Sequence, residues 1–190
     1  MPLTIIISGP AGSGKSTLAK RLAKRYKLKL CIGSEFFKEI IKRQGLKIRK
    51  NFWDTEDGMK FLRLRYEDHS IDKEVDKLLL EIAKKGKVVI TSWTLPYLGA
   101  PGIKVFLTAN LEERAIRIAK RDGIEFGKAL EIVERRDEEN FKLYKEIYGF
   151  EFGKNLSIFD IVIDTTDKEV KEVEKEVVKY IESARKNNFL

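Results

Sequence analysis

Five short runs of the chain are apolar without alternation: Thr4–Ser8, Lys29–Ile32, 87–92, Ile103–Thr108 and 159–164. The first, Thr4-Ile5-Ile6-Ile7-Ser8, is β-branched almost throughout and reads as a central strand buried on both faces. Between the runs the apolar residues recur at helical spacing. Leu18, Ala19, Leu22, Ala23 and Tyr26 form one stripe, and Phe126, Leu130, Val133, Phe141 and Tyr144 form another. Strand and helix therefore alternate, which predicts an α/β fold: a parallel sheet flanked by helices, with ligands at the carboxyl ends of the strands. Asn110 followed by Glu113, and Thr166 followed by Glu169, look like capping boxes, and Asp122-Gly123 marks a helix stop.

Two stretches exceed what a simple connection needs. Residues 34–85 carry two or three helical patterns, and residues 122–155 carry a long helix before the last strand. At 190 residues the chain suits a single domain over 1–190 with these two stretches as its moving parts, the first holding an acceptor and the second serving as lid and long helix.

Directly after the first strand comes Gly9-Pro10-Ala11-Gly12-Ser13-Gly14-Lys15-Ser16, followed by Thr17, which satisfies G-x-x-x-x-G-K-[ST]. The loop stands between a buried strand and an amphipathic helix, where it would cradle a nucleoside triphosphate. Its glycines let backbone N–H groups turn toward a phosphate, and the helix that follows adds its unpaired amides and dipole. Lys15 would bridge the outer phosphates and the Ser16 hydroxyl would ligate Mg2+, so ATP and Mg2+ are the expected cofactors.

Composition narrows the classes. Charged residues make up 36% of the chain and the formal net charge is +8, which suits polyanionic ligands, nucleotides or nucleic acid, without choosing between them. Basic and acidic residues interleave, as in 169–176, and the Lys/Glu enrichment resembles that of hyperthermophiles. Cys31 is the only cysteine and reads as a buried structural thiol. His69, the only histidine, is expected in a solvated loop. No apolar run is long enough to span a bilayer and no signal-peptide pattern opens the chain, so a cytoplasmic protein is expected.

Four segments carry a resemblance: 111–121, 144–149, Leu156-Ser157-Ile158-Phe159-Asp160-Ile161-Val162-Ile163-Asp164-Thr165, and Ser70-Ile71-Asp72-Lys73-Glu74-Val75-Asp76. With the P-loop they make the chain similar to archaeal-type cytidylate kinases over nearly its whole length. The resemblance implies a nucleoside monophosphate kinase fold with a five-stranded parallel sheet, a monophosphate-binding insertion and an arginine-bearing lid. Arg114, Arg117 and Arg121 stand at i, i+3 and i+7, one helix face with three guanidinium groups, which suits charge spread over a migrating phosphoryl group. By similarity, Arg117 and Arg121 would contact donor and phosphoryl, while Gly33, Ser34, Lys38, Arg136 and Asp137 would face the acceptor. A solvated face paired with Glu112 and Glu113 also accounts for the arginines. A structural ion pair equally accounts for Asp137, a carboxylate on an apolar stripe that needs a partner.

The acceptor side departs from the family pattern. Phe37 stands where Ala-Gly-x-x-Phe-Arg places its arginine, Thr91-Ser92-Trp93 stands for a carboxylate, a small residue and an arginine, Leu143 replaces an arginine and Leu78-Leu79 a polar pair. Arg63, Arg65 or Lys38 could compensate for one such loss. Three functions follow: phosphoryl transfer from ATP to CMP or dCMP, transfer to a non-phosphorylated small molecule such as a nucleoside, or an ATP-binding, RNA-associated module with little kinase activity. The second has Phe37 and Trp93 as stacking surface. The third lacks an Arg/Lys-aromatic stripe to support it.

Overall fold

All five apolar runs form strands, and every pairing between them is parallel. The computed structural model describes residues 2–48 and 52–187, leaving out 1, 49–51 and 188–190. The strands are β1 (Thr4–Ser8), β2 (Lys29–Ile32), β3 (Val88–Thr91), β4 (Ile103–Thr108) and β5 (Ile161–Asp164), laid in the order β2-β3-β1-β4-β5. β1 lies at the centre and is wholly buried, as its unbroken β-branched run requires. Ile7 registers with Thr91 of β3 and Ser8 with Phe106 of β4. The loops leaving β1, β3 and β4 therefore emerge level, on one rim.

Alternate residues of β1 feed two cores. Ile5 and Ile7 pack with Leu18 and Leu22 of α1 (Lys15–Tyr26) and with Val177 and Ile181 of α7 (Val170–Lys186). Ile6 faces the other way, toward α2 (Phe37–Arg43), α3 (Glu56–Glu67) and α4 (Ser70–Lys85), where Phe61, Val75 and Leu79 meet it. These three helices occupy the first long stretch. The second holds α6 (Phe126–Tyr148), which pairs with α5 (Leu111–Asp122) through Ala115, Ala129 and Val133. A left-handed Gly123, with φ 69°, ends α5 at the expected stop.

Three local expectations change. α7 begins three residues later than Thr166 implies: Glu169 is its N-cap and boxes with Glu172, because the Thr166 hydroxyl accepts from the Asn110 N–H and donates to Asp164. The last strand begins at Ile161, since the Asp160 carboxylate turns back to accept from the Lys104 N–H at 2.6 Å. His69 is no loop residue in solvent; it precedes α4, part-buried, with Nε2 3.4 Å from the Glu146 carboxylate. Cys31 is buried in β2, as expected. Among the described residues no helix is long and apolar enough to cross a membrane.

Candidate active site

The loop between β1 and α1 has a form that glycine alone permits. Gly12 and Gly14 have φ of 78° and 94°, in the left-handed region. A Cβ on Gly9 would run into the Leu107 carbonyl, and one on Gly12 would lie 2.8 Å from the Arg114 carbonyl. Gly14 is the N-cap of α1 and no side chain caps that helix, so its first amides face the loop. The Ser13 hydroxyl is buried with no hydrogen-bond partner. Lys15 Nζ donates to the Pro10 carbonyl at 2.7 Å and lies 5.1 Å from the centre of the Trp93 ring. Burial, then the nearby Arg136 charge, pulls the Lys15 ammonium down to about 7, against the partial support of Asp137. An ammonium held on its own loop, an orphaned hydroxyl and an uncapped helix start all fit a triphosphate. Among the described residues no group of three or more His, Cys, Asp or Glu could hold a metal ion. A magnesium ion here would be held by Ser16 and by the nucleotide's own phosphates.

The loop is braced from behind by Arg114. Its guanidinium donates to the Ala11 carbonyl of the loop at 3.2 Å, to the Ala109 carbonyl at 3.2 Å and to Asp137 Oδ2 at 2.5 Å. Both partners of this ion pair are buried. It ties P-loop, α5 and α6 at one point.

From the P-loop one cleft of about 1290 Å3 runs to the face covered by α2, α3 and α4. Its far half is built round Arg65, 2% exposed, whose guanidinium forms a two-pronged pair with Asp72 at 2.9 and 2.6 Å. Tyr144 accepts from Arg65 at 3.2 Å, and the Phe37 and Trp53 rings lie 5.0 and 5.8 Å from the guanidinium carbon. Beside them Asp76 accepts from the hydroxyls of Thr94 and Tyr148, each at 2.6 Å. Burial pushes the Asp76 carboxyl up to about 6, although both hydroxyls favour its charged form.

A model of the cytidylate kinase-like family matches residues 4–167. The chain belongs to that family.

Curated relatives agree with the match. A cytidylate kinase from Ignicoccus hospitalis is 37% identical over 163 residues, 85% of this chain and 88% of the relative. One from Methanocaldococcus jannaschii is 34% identical over 189 residues, 97% and 100% of the two chains. Among solved structures, a gluconokinase from Sinorhizobium meliloti superposes with a TM-score of 0.62 at 19% identity, over 99% of this chain and 96% of that one. A shikimate kinase from Acinetobacter baumannii gives 0.58 at 18% identity over 96% and 94%. At these identities the two structures show the fold, a P-loop kinase sheet with flanking helices.

In this cytidylate kinase-like chain, of the expected donor residues 9–17, residues 11–17 line the cleft and Gly9 and Pro10 do not, while Arg117 and Arg121 from α5 stand on its outer wall. Arg117 is anchored by Glu113 and by both the hydroxyl and carbonyl of Thr165, and Arg121 pairs with Asp122. Gly33, Ser34, Lys38 and Arg136 line the cleft as well. Asp137, expected to face the acceptor, does not line the cleft: it is held by Arg114 in the brace behind the P-loop, and its buried Oδ1 has no hydrogen-bond partner. Phe37 packs edge-on against Trp53 and Phe61 and under the Arg65 guanidinium, so the cations near that corner are Arg65, paired with Asp72, and Lys38, paired with Glu35 at 3.1 Å. Arg63 is exposed outside the cleft, and Leu143 is fully buried. The pairs Arg65–Asp72 and Asp76–Tyr148 had no separate sign in the sequence: each partner sits on a different helix, and no periodicity reports a contact across a helix break.

Proposed function

We propose that the protein transfers the γ-phosphoryl group of ATP to CMP or dCMP. The observation that carries this reading is the single cleft joining an anion-ready P-loop to a polar, aromatic-lined half, in a chain of the cytidylate kinase-like family. Lys15 and the loop amides hold the donor phosphates, Ser16 takes Mg2+, and Arg117 and Arg121 hold the donor and neutralise the phosphoryl in flight. Gly33, Ser34, Lys38 and Arg136 face the acceptor, while Asp137 serves the loop through Arg114. The bound metal supplies charge neutralisation between the phosphates. The chain supplies position and the exclusion of water, and an acceptor phosphate, already anionic at neutral pH, needs no base to activate it.

One observation favours a second acceptor. The buried cation of the far half, Arg65, is already paired with a carboxylate, and Asp76 stands beside it. Such a half suits hydroxyl or amino groups that donate to Asp76, as on a nucleoside. An acceptor panel decides: ADP formation that requires CMP or dCMP and is lost by at least about a thousandfold in Lys15→Ala supports the first reading. Turnover with a nucleoside and only background hydrolysis with every monophosphate would establish the second.

A further inference from the structure

The end of the sheet opposite the cleft carries a band of lysines. Lys24 lies in the last turn of α1 and Lys27 just beyond it, Lys29 opens β2, Lys84 and Lys85 end α4, and Lys87 leads into β3. All six are exposed. Backbone contacts bring them to one rim: Lys29 N–H donates to the Lys87 carbonyl at 3.0 Å, and Lys27 N–H to the Lys24 carbonyl at 3.4 Å. Among the described residues none of the six is paired with a carboxylate, and Glu81, one turn before Lys84 and Lys85, pairs with neither.

Helix dipoles account for part of this, since α1 and α4 both end here and cations favour helix C-termini. The end of α1 also accounts for the left-handed backbone at Lys27, since the Lys27 and Leu28 N–H groups return to the last carbonyls of the helix, but no helix end accounts for Lys87. Lys27 and Lys87, with φ of 52° and 53°, are the only non-glycine residues with positive φ among the described ones, and both lie in the band. That conformation penalises any side chain with a Cβ, and Gly86 beside Lys87 shows what relaxed backbone uses. Strain kept at Lys87, in the middle of the band, points to a use for its charge.

We propose that this rim docks the phosphate backbone of nucleic acid, independently of the nucleotide cleft. A protein partner would meet lysines where interface centres are depleted of them, and no free aromatic anchor: Tyr26 and Leu28 are half-buried against the core, with Arg185 over the Tyr26 ring and its hydroxyl bonded to Glu182. The large exposed hydrophobic side chains, Leu78, Ile116, Phe126, Val162 and Val170, belong to other parts of the surface, so the rim has nothing to insert into a lipid surface. Flexible ammonium groups without stacking rings suit sequence-independent phosphate contacts that release counterions. The rim lies at the amino ends of β2 and β3 and the P-loop at the carboxyl end of β1, so both can be occupied at once.

The test is fluorescence anisotropy of a labelled oligouridylate of about 20 nucleotides with the whole protein from about 50 to 300 mM salt. Binding should weaken steeply, with a log–log slope near −4 for about six phosphate contacts on a single strand. Saturating ATP should not displace the oligonucleotide. K27Q/K29Q/K87Q should lose at least about tenfold in affinity and flatten the slope by about 2, with phosphoryl transfer unchanged. K27G/K87G should also bind more weakly while melting at a higher temperature. The proposal fails if no binding is seen at the lowest salt, if the triple variant binds like the parent, if ATP competes, or if polyglutamate binds as tightly as the oligonucleotide.

Discussion

Lys15 has its charge set against its surroundings. Its ammonium, held near pH 7 where an unfolded lysine stays protonated to about 10.5, makes the folded chain bind fewer protons between those values. Stability should therefore rise with pH across that window, by about 1.4 kcal/mol per unit, and Lys15→Met should remove the slope. A triphosphate reverses the bias by supplying negative charge. Nucleotide binding at about pH 8.5 should then take up close to one proton, read as a dependence of the calorimetric enthalpy on the buffer's own ionisation. Asp76 gives the opposite sign. Its carboxyl, raised to about 6, adds stability below about pH 4 that is lost as the pH rises through 6, and Asp76→Asn should abolish that loss in urea melts at stepped pH. The P-loop was legible because its chemistry is written in consecutive residues. Arg65 and Asp72 were not, because the chain breaks helix at Asp68 between them and nothing local records that the two helices fold back.

Between elements, the joint that matters most is Arg114. Asp137, a carboxylate on an apolar stripe, needed a partner, and the structure supplies one from α5, 23 positions earlier. That need was visible in the sequence; the partner's address was not, since it depends on how α5 and α6 cross. Removing one side leaves the other as a bare buried charge, so R114M or D137L alone should cost about 3–5 kcal/mol in urea unfolding, and the double variant should recover much of that loss. R114M should also weaken ATP binding, because the Ala11 carbonyl loses its brace. The caps divide in the same way. Asn110 does accept from the Glu113 N–H, at 2.7 Å, and Asn110→Ala should cost about 1 kcal/mol. Thr166 is drawn into a contact with Asn110 across 56 positions, and a local box yields to it.

At the scale of the molecule, alternating strand and helix gave the parallel α/β class directly, because buried parallel strands leave an unbroken apolar run. The strand order β2-β3-β1-β4-β5 is a matter of which edge each crossover returns to, and periodicity alone is silent on it. Ligand linkage tests the whole assembly. A nucleotide at about a hundred times its dissociation constant adds about 2.7 kcal/mol, and for a chain of this size the melting temperature should rise by roughly 5–10 °C. The same addition to Lys15→Ala should leave the melt nearly unmoved.

The chain has two tryptophans, and the fold deals one to each half of the cleft. Trp93 lies under the Lys15 ammonium, and Trp53 stands against the Arg65 guanidinium. Each indole is thus polarised by the cation its half of the site uses, and its emission should respond when that cation changes partners. Donor and acceptor occupancy can then be followed as two optical signals without any label: Trp93→Phe leaves a protein that reports its acceptor, and Trp53→Phe one that reports its ATP.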